Sequence, residues 1–247
     1  MKLLTVGNPK VMKGFSKGVM TYILHLAPAN VSGYETCPKR TAGCSAACLN
    51  TAGRGGIMKK GETTNVIQEA RKRKTRLFFE DRALFMSMLV ADIELGIKQC
   101  QKSGLFPAFR LNGTSDISWE KFSVVRGGKV FKNVFAAFPE IQFYDYTKML
   151  NRKVDEIQNY HLTFSAADGN EKDVAKAIFQ GYNIAVVFGF ALPTEYLGLK
   201  VFGGDESDLR FLDPASVVVG LTAKGKAKKD TSGFVVQQNM IAVRMVA

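Results

Sequence analysis

The sequence predicts an α/β protein built on a parallel sheet, either open or wound into a partial or complete βα barrel. Seven short runs rich in β-branched and aromatic residues, each four to eight residues long and bounded by turn formers, recur along the 247 residues. Between them lie segments whose apolar residues return at three- and four-residue steps, the signature of helices. Polar clusters directly follow the runs, which fits a working face at the carboxyl ends of parallel strands.

Residues 19–26 (VMTYILHL) read as the first strand, and the period of two puts His25 on the face of Ile23. Residues 63–102 predict two helices, with Leu77, Phe78, Leu84, Phe85, Met88 and Leu89 as their apolar stripe. The second strand is 106–111 (FPAFRL), followed by a short helix at 133–138 and a third strand at 141–146 (IQFYDY). Strand 160–164 (YHLTF) leads to helix 171–181, which Gly181 closes. Strands 183–188 (NIAVVF), 199–202 (LKVF) and 216–221 (SVVVGL) complete the set. One domain, 1–247, is expected, with a lead-in over 1–18 and an irregular tail over 222–247. The apolar stretch 240–246 is expected to pair at a sheet edge.

Hydrophobic content of 46% and charged content of 23% are ordinary for a globular chain. No apolar run approaches the roughly 18 residues of a membrane span, so no membrane partner is expected. The N-terminus breaks at Gly7 and Pro9 before an apolar core forms, unlike a signal peptide. Four cysteines in such a chain point to the cytoplasm, where disulfides are rare. The net charge of +12 favours polyanionic partners. Two runs carry much of it, residues 71–76 (RKRKTR) and Lys224, Lys226, Lys228 and Lys229. Both read first as solvated faces, and nucleic-acid contact is the alternative.

Residues 37–56 (CPKRTAGCSAACLNTAGRGG) concentrate three thiols in twelve residues after the first strand. A helical turn through Ser45 would bring Cys44 and Cys48 to one side. Three close thiolates in a reducing compartment select a soft metal. Structural zinc needs a fourth protein ligand, available only from Cys100, His25 or His161. An iron–sulfur cluster, [4Fe–4S] or else [3Fe–4S], accepts three cysteines and leaves one iron open to a small-molecule ligand. Three readings stand: iron–sulfur cluster, zinc, and no metal. Cys100 ends the helix that feeds the second strand, so it is expected at the opposite end of the sheet from the loop.

Candidate non-cysteine site residues follow the strands. Arg110, Asn112 and Asp116 flank the second, Asp145 and Lys148 the third, and Asp205 comes after strand 199–202. Arg110 is a charge in an apolar strand, so it must be paired or bind an anion; an internal ion-pair network is the competing reading. Gly53, Gly55 and Gly56 would allow close backbone approach of a cofactor or simply form a turn. His25 reads as a core histidine or a donor behind the ligands. His161 starts a strand far from the face and reads as structural. Two histidines so placed build no Ser-His-Asp triad, and Gly203-Gly204-Asp205 lacks a P-loop ending.

The cysteine triplet after the first strand of a repeated βα fold resembles the radical S-adenosylmethionine superfamily. More narrowly, the chain is similar to the phage and plasmid family named after mycobacteriophage gene product eighty-eight. The elements behind this are the C-P-x5-C-x3-C-L loop with Gly53-Arg54-Gly55, residues 110–116 (RLNGTSD), 143–148 (FYDYTK), Phe164-Ser165 and 205–214 (DESDLRFLDP). The resemblance implies a barrel-like fold and a cysteine-bound cluster, and a phage-borne chain would work in the host cytoplasm. The superfamily's usual spacing is C-x3-C-x2-C with an aromatic residue before the last cysteine, where this chain has Ala47. Its Gly-Gly-Glu element has no counterpart at residues 112–116, so S-adenosylmethionine does not carry over with the barrel. The expected function is an iron–sulfur protein, a candidate redox or radical-type enzyme. The alternative is a basic nucleic-acid-binding protein with structural zinc.

Overall fold

The computed structural model describes residues 1–6 and 12–239, so the expected edge segment 240–246 and the middle of the lead-in, 7–11, lie outside them. The chain forms β1 (Leu4–Thr5), β2 (Val19–Leu24), α1 (Ala42–Ala46), α2 (Val66–Glu80) and α3 (Arg82–Ser103). Then come β3 (Phe106–Arg110), a hairpin of β4 (Val124–Arg126) and β5 (Lys129–Phe131), α4 (Val134–Ala137) and β6 (Gln142–Thr147). The rest is β7 (Tyr160–Ser165), α5 (Glu171–Phe179), β8 (Ile184–Phe188), β9 (Glu195–Tyr196), β10 (Leu199–Gly203), β11 (Val218–Thr222) and β12 (Val235–Val236). All seven expected strands are present to within a residue or two, and residues 63–102 do split into two helices. The split falls at Asp81, whose side chain caps α3 by accepting from Leu84 N at 3.0 Å.

The main sheet runs β1-β2-β3-β6-β7-β8-β11-β10-β9. Its seven inner strands are mutually parallel, and β1 and β9 are antiparallel edges. The architecture is therefore mixed α/β on a largely parallel sheet, and its hydrogen-bonded path ends at β1 and β9. From β2 to β8 the strands lie in chain order; the chain then passes outward to β10 and returns to place β11 beside β8.

Register fixes the two faces. Tyr22, Phe109, Phe143 and Tyr160 are aligned partners on one face, buried against Phe78, Phe85, Leu89 and Ile93 of α2 and α3. Each such aromatic contributes on the order of 2–3 kcal/mol by leaving water. On the other face Val19, Ala108 and Tyr144 pack against Leu209 and Phe211 of the β10–β11 connection. Because that connection runs backward across the sheet, it must cross on the face opposite the helices to stay right-handed.

The tail departs from the expected irregularity. Val235 and Val236 pair with Val187 and Phe188 at the carboxyl end of β8, whereas β7 pairs only as far as Ala185. The sheet forks there: β12 replaces β7 as the neighbour of β8. Val235 is fully buried, and two residues suffice because the strand only fills the fork. The hairpin β4–β5 and edge strands β1 and β9 were also not expected; each is two or three residues long, too short for a periodic signal.

Candidate metal centre

The cysteine loop leaves β2 at its carboxyl end and returns as α2. Asn65 organises the return. Its side-chain oxygen accepts from Ile67 N and Gln68 N at 3.1 and 3.0 Å, capping α2. Its amide nitrogen donates to the carbonyls of Gly55 and Ile57 at 3.1 and 2.9 Å. Gln68 donates to the same Gly55 carbonyl at 2.7 Å. The glycines serve that turn: Gly53 has φ +55, and a Cβ on Gly55 would lie 2.7 Å from the Asn50 carbonyl oxygen.

The loop is held at three further points. Asp116 N donates to the Thr36 carbonyl at 2.8 Å. Arg71 donates to the Asn50 carbonyl and side-chain oxygens at 3.1 and 2.7 Å. At the fork between β7 and β8, Asp168 accepts from the Thr41 hydroxyl and from Gly43 N at 3.0 Å. A Cβ at Gly43 would come within 2.6 Å of Asp168 Oδ1 and 2.7 Å of Phe234 Cβ, so only glycine fits.

Cys37, Cys44 and Cys48 are all half-buried on this loop. Ala29 N points at Cys37 Sγ (3.5 Å) and Asn50 N at Cys48 Sγ (3.5 Å), and Cys37 Sγ approaches the Thr114 carbonyl at 3.8 Å. Burial pushes the Cys37 thiol up, and the nearby Cys48 and Asp116 add to it, against the Ala29 and Thr36 hydrogen bonds. Burial raises Cys48 as well; the Asn50 amide, Arg71 and Lys148 oppose it, and Cys44 reinforces it. The three sulfurs thus form one electrostatic neighbourhood. Among the described residues no three His, Cys, Asp or Glu side chains converge closely enough to hold a metal ion as placed. In chemistry the donor set does fit a soft metal: three sulfurs on one loop, two receiving amide N–H groups, with two cations at hand.

The other expected site residues go elsewhere. Asn112 is buried at the centre of its own loop, accepting from Ser115 Oγ, Ile117 N and Trp119 Nε1 at 2.9, 2.9 and 3.2 Å. Asp116 accepts from Thr147 Oγ1 and Lys148 N at 2.9 and 2.8 Å and faces Arg152 at 3.4 Å. Arg152 in turn grips Glu120 with two contacts of 2.7 Å. Asp145 is fully buried, accepting from Asn112 N at 2.8 Å and Tyr160 OH at 3.0 Å; burial raises its carboxyl to about 7. Arg110 is paired with Asp208 at 2.7 Å on the face under the β10–β11 connection. Asp205 ties that connection to β11 through Thr222 N and Lys224. Lys148 and Asp116 are the members of the set that lie near the thiols, Lys148 by Cys48 and Asp116 by Cys37.

His25 is pressed into a cationic corner. Burial first, then Arg71, Arg110 and Lys74, lower its pKa to about 3, so it stays neutral. His161 faces the β10–β11 connection, aligned with Tyr144. Cys100 is fully buried between α3 and the sheet, 4.0 Å from Tyr22 OH. The solvated-face reading of residues 71–76 needs correction: the helical period turns Arg71 toward the cysteine loop and Lys74 into the core, where its amine donates to the Leu3 carbonyl at 2.6 Å. Arg71 is the site residue that sequence reasoning missed, whereas Asp168 lies where a polar residue was expected, after strand 160–164 on the working face. The i, i+3 spacing of Arg71 and Lys74 within an amphipathic helix is the signal that could have found the first.

The family model described as Gene product 88 matches residues 2–238, and the chain belongs to that family. No curated protein and no solved structure matches it. No helix among the described residues is long and apolar enough to cross a membrane.

Proposed function

We propose that this member of the Gene product 88 family is an iron–sulfur protein whose cluster is held by Cys37, Cys44 and Cys48 at the carboxyl edge of a partial, radical S-adenosylmethionine-like βα barrel. The observation that carries the reading is the loop: three thiols on one tethered segment, with the amides of Ala29 and Asn50 directed at two of the sulfurs. The chain-order run of parallel strands from β2 to β8 supports the barrel-like comparison. Bound there, a cluster of the [4Fe–4S] or [3Fe–4S] type would supply one-electron chemistry and an iron coordination position for a small molecule. The chain's own part is to hold the sulfurs, balance thiolate charge with Arg71 and Lys148, and limit water at the half-buried loop. A redox or radical-type reaction in the cytoplasm, the host's if the chain is phage-borne, is the activity this arrangement serves. The test is anaerobic purification and reconstitution with iron and sulfide, followed by metal and sulfide analysis and a visible spectrum with and without S-adenosylmethionine. The expected result is a brown protein with stoichiometric iron and sulfide. A colourless protein carrying one zinc per chain overturns the proposal.

A further inference from the structure

The two basic runs of the sequence end differently. α2 breaks up the first, burying Lys74 and drawing Arg71 inward, while Lys72 pairs with Glu69 at 2.8 Å. The second remains intact. Lys224, Lys226, Lys228 and Lys229 are all exposed, the last three on the tight turn Gly225–Lys229 after β11. Lys224 pairs with Asp205 at 2.5 Å, and Lys226, Lys228 and Lys229 make no ion pair among the described residues. The adjacent acid, Asp230, is turned to the segment that follows it, accepting from the Ser232 hydroxyl at 2.6 Å and Val235 N at 3.0 Å.

This turn is seated on the cysteine loop. Ala227, 5% exposed, belongs to a cluster with Ala223 and Val235, against which Phe234 and Ala47 pack. Ala47 directly precedes Cys48. The backbone hydrogen bonds Ala227 N to the Lys224 carbonyl and Asp230 N to the Ala227 carbonyl, both 3.1 Å, keep the turn closed. Residues 25–65 and 223–234 together hold nine Lys and Arg against three Asp and Glu, half of the chain's net +12.

We infer that this edge binds nucleic acid through its phosphate backbone, with Lys226, Lys228 and Lys229 as phosphate contacts beside the cysteine loop. Lysines on a short closed turn present point charges from a fixed stretch of backbone, which suits phosphates and carries no base preference. The apolar residues of the turn, Ala223 and Ala227, are buried, so it offers no apolar face of the kind interfacial membrane binding uses. The inference does not depend on a metal.

The test is a salt titration of binding to a fluorescein-labelled mixed-sequence oligonucleotide, single-stranded and duplex, using the full chain. The compared variants are Lys226→Gln/Lys228→Gln/Lys229→Gln and a control, Lys98→Gln/Lys102→Gln/Lys176→Gln, which removes the same charge from the C-terminal halves of α3 and α5. The turn variant should bind at least about tenfold more weakly at low salt, and its log–log salt slope should shrink by about 2 on the single strand and about 3 on the duplex, at roughly 0.7 and 0.9 per lost phosphate contact. The control should keep the larger slope. Absence of binding at low salt, equal losses in both variants, or binding to phosphatidylserine vesicles but not to the oligonucleotide would each overturn the inference.

Discussion

Two corners of the sheet's carboxyl edge look alike in sequence and differ in physics. At the β3–β6 corner the carboxylates and the buried amide are spent: Asn112 on its own loop, Asp145 on the Asn112 amide and Tyr160, Asp116 and Glu120 on Arg152. At the cysteine turn the backbone is firmly held while the sulfurs make only contacts of 3.5–3.8 Å. Buried polar groups that already satisfy one another hold a fold together and have little left for a ligand. Soft, weakly engaged donors on a fixed backbone are what a metal needs. The first corner is scaffold; the second is where we propose that a cluster binds.

That contrast can be broken by substitution. The largest effect is expected at Arg152, only 5% exposed and facing Asp116 and Glu120. Arg152→Ala leaves both carboxylates buried without their cation and should cost about 3–5 kcal/mol in urea unfolding. A loss below about 1 kcal/mol would show that the network is not structural.

The next effect is read from pH. The folded-state pKa of His25 is depressed to about 3, so its contribution to stability is full above about 6.5 and is lost as pH falls from there toward 3. The loss should reach at most about 5 kcal/mol. His25→Gln should flatten the slope between pH 6.5 and 4 in thermal melts. An unchanged slope would mean His25 is not held neutral between the two corners.

Gly43→Ala sharpens the comparison from the other side. Its methyl group would meet Asp168 and Phe234, costing about 1–3 kcal/mol through displacement of the loop. Iron loading should fall although no sulfur is removed. Full loading would show that the fork does not position the cysteines.

How much of this was legible beforehand depended on the range of each signal. The strands and the α2–α3 pair were readable because Tyr22, Phe78, Phe85 and Phe109 carry local periodicity. The cysteine loop was readable from spacing alone. The roles of Asn112, Asp116 and Asp145 were not, since a polar residue after a strand looks the same whether it faces a ligand or Arg152, 36 residues away from Asp116 in the chain. Nor could the sequence place Ala47 against the cluster of Ala223, Ala227 and Val235, whose last member is the β12 residue that fills the fork beside β8.

The central claim is that three cysteines, and not the fourth, hold the metal. Its most direct test is iron content per chain after anaerobic reconstitution of the parent protein and of the Cys37→Ser, Cys44→Ser, Cys48→Ser and Cys100→Ser variants. Cys100 lies in the core against Tyr22, away from the loop, so Cys100→Ser should retain the parent's iron while each of the other three loses most of it. Equal iron in all five proteins would contradict the assignment, and loss of iron from Cys100→Ser would replace the open coordination position with a fourth protein ligand.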